Sequence, residues 1–219
     1  MPSLLVTAFG RFGPSSYNPT HAALPGIDSA LADAAVTTAV LPVEFAAARR
    51  QLRELIASQS PDFVVCLGLA ESRRALSIEK VAVNVMAACI PDNAGAQPLD
   101  EQVCAGAPAA YFSTLPVAGM AAAVRREGVP AEVSYSAGTY VCNTAMFTAL
   151  HATAGTPARA GIIHVPQALG AESPATGALT TEVLTQDDIT AGTVAALRAL
   201  VTGVAEREDS TPPPAGHVD

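Results

Sequence analysis

Apolar residues along this chain fall into two rhythms. Short apolar runs, continuous or alternating, occupy 4–9, 36–45, 63–69, 77–85 and 159–166, with a briefer alternation at Val133 and Tyr135. Apolar residues three and four apart fill the stretches between many of them, the spacing of helices that bury one face. The run at 63–69 has no polar position, as expected of a central parallel strand covered on both faces. Residues 111–116 read as a short extended segment and 90–106 as a polar loop excursion.

Helix boundaries follow from local chemistry. Asn18 before Pro19 reads as an N-cap with proline at the first helical position, and Pro25-Gly26 is expected to end that helix. A second helix covers 46–58, with Leu52, Leu55 and Ile56 on its apolar face. A third covers 117–127 and stops at Gly128. A fourth covers 143–153, with Ala145, Met146, Ala149 and Leu150 at helical spacing. The last is read over 180–204, with an entry signal at 186–188 and Ile189, Val194, Leu197 and Leu200 inward. Residues 206–219 carry three consecutive prolines and almost nothing apolar, so they are expected to form a disordered tail. Strands alternating with helices predict an α/β fold: one domain over residues 1–205, a three-layer α/β/α sandwich on a mostly parallel, mixed sheet.

Composition narrows the function. Twenty acidic residues against twelve basic ones give a net charge of −8, which disfavours nucleic acid, since phosphate binding needs clustered cations. The arginine pairs 49–50, 73–74 and 125–126 read as solvated faces or salt-bridge partners. There is no secretory signal pattern at the start and no apolar run long enough to span a membrane. Cys66, Cys89, Cys104 and Cys142 are widely spaced and lack metal-ligand spacing, so they are expected to be reduced thiols of a cytoplasmic protein. Cys66, inside an apolar run, reads as inert core.

Cys142 has a different address. It sits where an extended segment turns into a helix, and a helix N-terminus favours a thiolate. His164 lies near the end of a later strand, and in layered α/β folds sites gather at the carboxyl ends of strands. Thiol catalysis needs such a pair, together with an acceptor that fixes the imidazole tautomer. Glu79 and Asp92 both qualify as that acceptor, and spacing does not choose between them. His21 and His151 are alternative bases on composition, although His151 lies well inside a helix.

Three collinear stretches carry a family resemblance: 68–84 around Glu79, 133–143 (VSYSAGTYVCN) and 161–166 (GIIHVP). Shorter matches at 7–13, 18–19, 41–43, 90–93, Gly106 and 111–116 support them. The chain resembles the pyroglutamyl peptidase I family, also called pyrrolidone carboxyl peptidases, which are cysteine peptidases. The resemblance implies Cys142 as nucleophile, His164 as general base and acid, and Glu79 as its orienting carboxylate. It further implies removal of an N-terminal pyroglutamyl group from peptides without metal or cofactor, and a homodimer or homotetramer.

Phe9, Phe12, Tyr140 and Val141 are the implied pocket walls, with backbone groups near Gly68 and Asn18 addressing the lactam. Leu69 and Cys89 depart from the family, which commonly has glutamine and arginine at these positions. Glu71 stands where a small residue is common. Cys89 also raises an inhibitory disulfide with Cys142. Two rival functions remain on the sequence: an amidase or acyltransferase using the same triad on another small acyl group, and a catalytically silent binding protein on the same fold.

Overall fold

The structure is a computed structural model, and it describes residues 1–13, 15, 17–171 and 184–209. Its strands are β1 (Ser3–Phe9), β2 (Ala35–Leu41), β3 (Phe63–Leu69), β4 (Leu76–Glu79), β5 (Val81–Val83), β6 (Ala110–Phe112), β7 (Ala131–Ser134) and β8 (Arg159–Val165). Its helices are α1 (Pro19–Ala30), α2 (Phe45–Gln59), α3 (Val117–Arg126), α4 (Val141–Thr153), α5 (Gln186–Val201) and α6 (Val204–Asp209). Six strands form the main sheet in the order β2-β1-β3-β8-β4-β7, and β5 pairs β6 in a separate two-stranded sheet. β2, β1, β3 and β8 run parallel, β4 is antiparallel to β8, and β7 is parallel to β4. This is the expected mixed, layered α/β/α domain.

The period-2 alternation of the strands separates two apolar layers. Leu4, Val6, Val65, Leu67, Ile78, Ile163 and Val165 face one layer with α1, α3 and α5. Leu5, Val64, Cys66, Ala160 and Ile162 face the other, with α2 and α4. Burying both faces of β3 and β8 explains why their sequences contain so few polar residues. Cys66 is fully buried there, as expected.

Several boundaries differ from the sequence reading. α1 continues through Pro25 to Ala30. Pro25 points to solvent, so the carbonyl of His21, which loses its helical donor, faces water, while fully buried Ile27 holds the last turns on the core. The single strand read over 77–85 is two strands in two sheets: the alternation carries on, but the chain leaves the main sheet at Lys80, whose backbone still bonds Ser134 and Ser113. The strand read to residue 45 ends at Leu41, because Phe45 opens α2 and donates its N–H to Asp92 Oδ2 at 2.8 Å. α5 begins at Gln186, behind a Thr185–Asp188 capping box; the part of the last helix read over 180–183 lies outside the described residues. α6 carries the chain to Asp209, past the boundary expected at residue 205, and the remainder of the expected tail, 210–219, lies outside the described residues.

Candidate active site

β3 and β8 lie side by side with Gly68 opposite His164, and β4 places Ser77 opposite His164 on the other flank. Directly opposed residues share a face, and so does Glu79, two residues beyond Ser77. The register alone therefore puts Gly68, His164 and Glu79 on the face that carries α4. Because β4 runs antiparallel, Glu79 lies inward of the sheet's rim and is fully buried, while His164 is 4% exposed.

The Nδ1 of His164 is 2.8 Å from Glu79 Oε1. With Nδ1 carrying the proton, the Nε2 lone pair is left facing away from the carboxylate. Asp92 is not the acceptor: its oxygens take the N–H groups of Phe45, Ala94 and Ala96. His151 is far along α4, bonded to Tyr111, and His21 is on the exposed side of α1.

Cys142 is the second residue of α4, and its N-cap Tyr140 is extended. A methyl group built on Gly68 would stand 2.7 Å from His164 Cδ2 and 2.9 Å from both His164 Nε2 and Cys142 Sγ. Imidazole and thiol therefore converge on one point, and only a residue without a side chain fits beneath them. Burial pushes the Cys142 thiol up to about 12, assisted by the fields of Cys66 and Glu79, while its own backbone N–H pulls the other way.

A cleft of about 440 Å³ opens beside Cys142, lined by Phe9, Phe12, Asn18, Val43, Tyr140 and Val141 among others. All five residues expected to meet substrate line it. Tyr140 meets Phe12 and Phe45 edge to face, at centroid distances of 5.8 and 5.2 Å, and donates its hydroxyl to Pro91 O. Burial raises its phenol to about 12, so it remains a donor. The Asn18 side chain is already engaged: Oδ1 accepts from Thr20, and Nδ2 donates to Gly10 O at 2.9 Å. It shapes the loop that carries Phe12. Leu69, Glu71 and Cys89 line the same cleft, and Cys89 and Cys142 are separate thiols.

Two supports were not read from the sequence. Arg73 donates to Glu79 Oε1 at 3.1 Å and also reaches Ser77, Glu132, Ser134 and the Ser136 carbonyl. The signal was an arginine six residues ahead of a buried acid. Asn143, fully buried, bonds Val83 N and the carbonyls of Val83 and Val85, tying the start of α4 to β5. A buried amide needs such partners, and its place next to Cys142 was the clue.

A layered α/β fold with a thiol and an oriented imidazole facing across a glycine, at the head of an apolar cleft, is the framework of a cysteine hydrolase. A family model described as pyroglutamyl peptidase matches residues 2–201. The pyrrolidone-carboxylate peptidase of Thermococcus kodakarensis is 46% identical over 165 residues, covering 74% of this chain and 80% of that one. The pyrrolidone-carboxylate peptidase of Clavibacter michiganensis is 43% identical over 180 residues, covering 80% and 84%. The pyroglutamyl peptidase I structure from Bacillus amyloliquefaciens superposes with a TM-score of 0.85 at 32% identity, covering 92% of this chain and 98% of that one. The pyrrolidone carboxyl peptidase of Thermococcus litoralis gives 0.85 at 34%, covering 98% and 100%. This chain belongs to the pyroglutamyl peptidase family and is a cysteine peptidase. Among the described residues, no helix is long and apolar enough to cross a membrane.

Proposed function

We propose that the chain hydrolyses the amide bond following an N-terminal pyroglutamyl residue of peptides, through a thioester on Cys142. The observation that carries this reading is the convergence of Cys142 Sγ and His164 Nε2 over Gly68 at the head of the cleft. The names of the relatives point to the same substrate.

The Cys142 sulfur attacks the pyroglutamyl carbonyl carbon as its proton passes to His164 Nε2. The carbonyl electron pair moves onto oxygen, which the first N–H groups of α4 stabilise. Glu79 holds Nδ1–H throughout and favours the imidazolium that forms. His164 returns the proton to the departing amine, the C–N bond breaks and the thioester remains. Water then attacks, giving its proton to His164, and collapse releases pyroglutamate and restores the thiol. The neutral lactam ring suits walls supplied by Phe9, Phe12, Tyr140 and Val141, while Asn18 fixes the Gly10 loop beside it.

Hydrolysis of a pyroglutamyl-linked fluorogenic amide by the wild type and by Cys142→Ala tests the assignment. Turnover by the wild type and its loss in the variant are expected. No turnover at high enzyme concentration would sink the substrate reading, and turnover surviving in Cys142→Ala would sink the nucleophile. The reaction belongs in the reduced cytoplasm, where thiols persist, and the working form is a homodimer or homotetramer, measurable by sedimentation.

A further inference from the structure

A second thiol–imidazole pair lies outside the cleft. Cys104 Sγ is 3.5 Å from His151 Nε2, and His151 Nδ1 is 2.8 Å from the Tyr111 hydroxyl. Each member is held in place. Buried Asn84 clamps the Cys104 backbone, accepting its N–H and donating to its carbonyl, both at 2.9 Å. His151 occupies the last turn of α4 and stacks on Phe147, with centroids 6.2 Å apart and planes 16° off parallel. The Arg49 guanidinium, on α2, lies within electrostatic reach of the same sulfur.

The arrangement has a chemical direction. When Nδ1–H is donated to the Tyr111 hydroxyl, the Nε2 lone pair faces Cys104 Sγ and can take the thiol proton as the sulfur attacks, leaving an imidazolium. The C-terminal end of α4 favours that cation, and Arg49 favours the thiolate. Cys104 is half-exposed and can be reached from solvent. Arg49 also lines, with Glu101, a neighbouring hollow of about 290 Å³ that Cys104 itself does not line, so Arg49 links the thiol to a pair of opposite charges.

We propose that Cys104 is a site of reversible thiol–disulfide exchange with a low-molecular-weight peptide disulfide bearing carboxylates, of the glutathione type. The Cys104 thiolate attacks one sulfur of the disulfide and forms a mixed disulfide. The other half leaves as a thiolate and takes the proton held on His151. The incoming disulfide is the only oxidant required. His151 lies nine positions beyond Cys142 in α4, about 14 Å along the axis, so the adduct stands clear of the cleft. The site does not depend on the proposed peptidase chemistry.

The test uses the full-length protein at pH 6, pulsed separately with iodoacetamide and with glutathione disulfide, and the modified cysteines are mapped by peptide mass. Cys104 is expected to react with iodoacetamide about tenfold faster than cysteine in a short peptide, which is almost wholly protonated at that pH. His151→Gln should remove the excess. Arg49→Gln should slow the glutathione disulfide reaction by a clearly larger factor than it slows alkylation by uncharged iodoacetamide. Thermal melting establishes that each variant is folded. A wild-type Cys104 rate equal to the peptide's, or no change in folded His151→Gln, overturns the activated thiol. Fast alkylation without a mixed disulfide overturns the ligand class.

Discussion

Arg73 Nη2 lies 3.1 Å from the same Glu79 oxygen that His164 Nδ1 meets at 2.8 Å. A fully buried carboxylate with both donors on one oxygen depends on each of them, since its other oxygen has no hydrogen-bond partner among the described residues. Arg73→Gln is therefore expected to cost about 1–3 kcal/mol of stability, less than a fully buried pair because Arg73 is partly exposed. It should also lower kcat about tenfold with little change in KM, because the imidazole loses its fixed partner. Urea unfolding and steady-state kinetics measure the two effects. An unchanged kcat would leave Arg73 with a structural role only.

Gly68→Ala should separate folding from catalysis. The new methyl meets His164 Cδ2 at 2.7 Å, with Nε2 and Sγ each at 2.9 Å, so one or both reacting groups must move. Misplacement on the ångström scale costs about 100-fold in kcat. The expected result is a folded protein with a near-normal melting temperature and kcat reduced by about two orders of magnitude. Full activity would mean that the two groups do not meet over this glycine during the reaction.

The half-buried Cys142 thiol gives alkaline pH a specific effect. Its pKa in the folded chain is pushed up to about 12, whereas an unfolded cysteine ionises near about 8.5. Between those values the folded state binds more protons than the unfolded one. Stability is thus undiminished below the window and falls as pH rises through it. Burial of Cys66, raised to about 11, acts in the same direction. Cys142→Ala should lose less stability than the wild type as pH rises above about 8.5, read from urea midpoints. Alkylation of Cys142 in the resting wild type should climb with pH without an acid-side plateau. Such a plateau would indicate a preformed ion pair.

Glu71 is the one formally charged side chain lining the cleft among the described residues. A carboxylate there should favour peptides with a basic residue after the pyroglutamyl group, by about fivefold in kcat/KM for an interaction near 1 kcal/mol, and Glu71→Gln should erase the preference. The comparison needs paired substrates differing only in lysine or glutamate at that position. Equal rates for the pair in the wild type would show that Glu71 does not meet the leaving peptide.

Cys89 and Leu69 line the cleft, at positions where the family resemblance implies arginine and glutamine. Each substitution toward the common residue adds a donor to a mainly apolar wall. One well-aimed donor to a developing oxyanion contributes about 2.7–4 kcal/mol. Cys89→Arg is expected to raise kcat/KM by at least about tenfold, allowing for imperfect aim, and Leu69→Gln to act mainly on KM. A fall in both constants would mean that this cleft is tuned to its own residues.

Much of the site was legible because it is built from short-range rules. Cys142 at a strand-to-helix turn and His164 near a strand end both follow from periodicity, and the collinear stretches brought Glu79 to them. The layered fold was legible for the same reason: β3 is apolar throughout, and β8 is apolar apart from Arg159 and His164, because both faces are covered. What escaped depended on long-range pairing. Nothing local reveals that β4 runs antiparallel beside β8, or that the chain changes sheets at Lys80, since the alternation does not break there. The support that Arg73 gives escaped because its partners lie on two distant segments, β4 and the stretch from β7 to Ser136. Asp92 and Glu79 are equivalent by composition and spacing; the resemblance singled out Glu79, and the fold supplies the physical reason by sending Asp92 to a helix start and Glu79 to the imidazole. The run past Pro25 escaped because its tolerance depends on which side of α1 faces solvent.

The position of β8 has a consequence for how the chain becomes active. This strand, starting at Arg159, inserts between β3 and β4, whose ends were made some eighty residues or more earlier. Until it arrives, both of those strands have an unpaired edge, the state most open to wrong pairing. A chain emerging from the ribosome holds its thiol and its acid well before the histidine that joins them. Sheet closure and assembly of the reactive centre are then a single late event, and the long sequence separations predict slow folding. On the proposed mechanism, a chain that still lacks β8 has no base to serve its thiol.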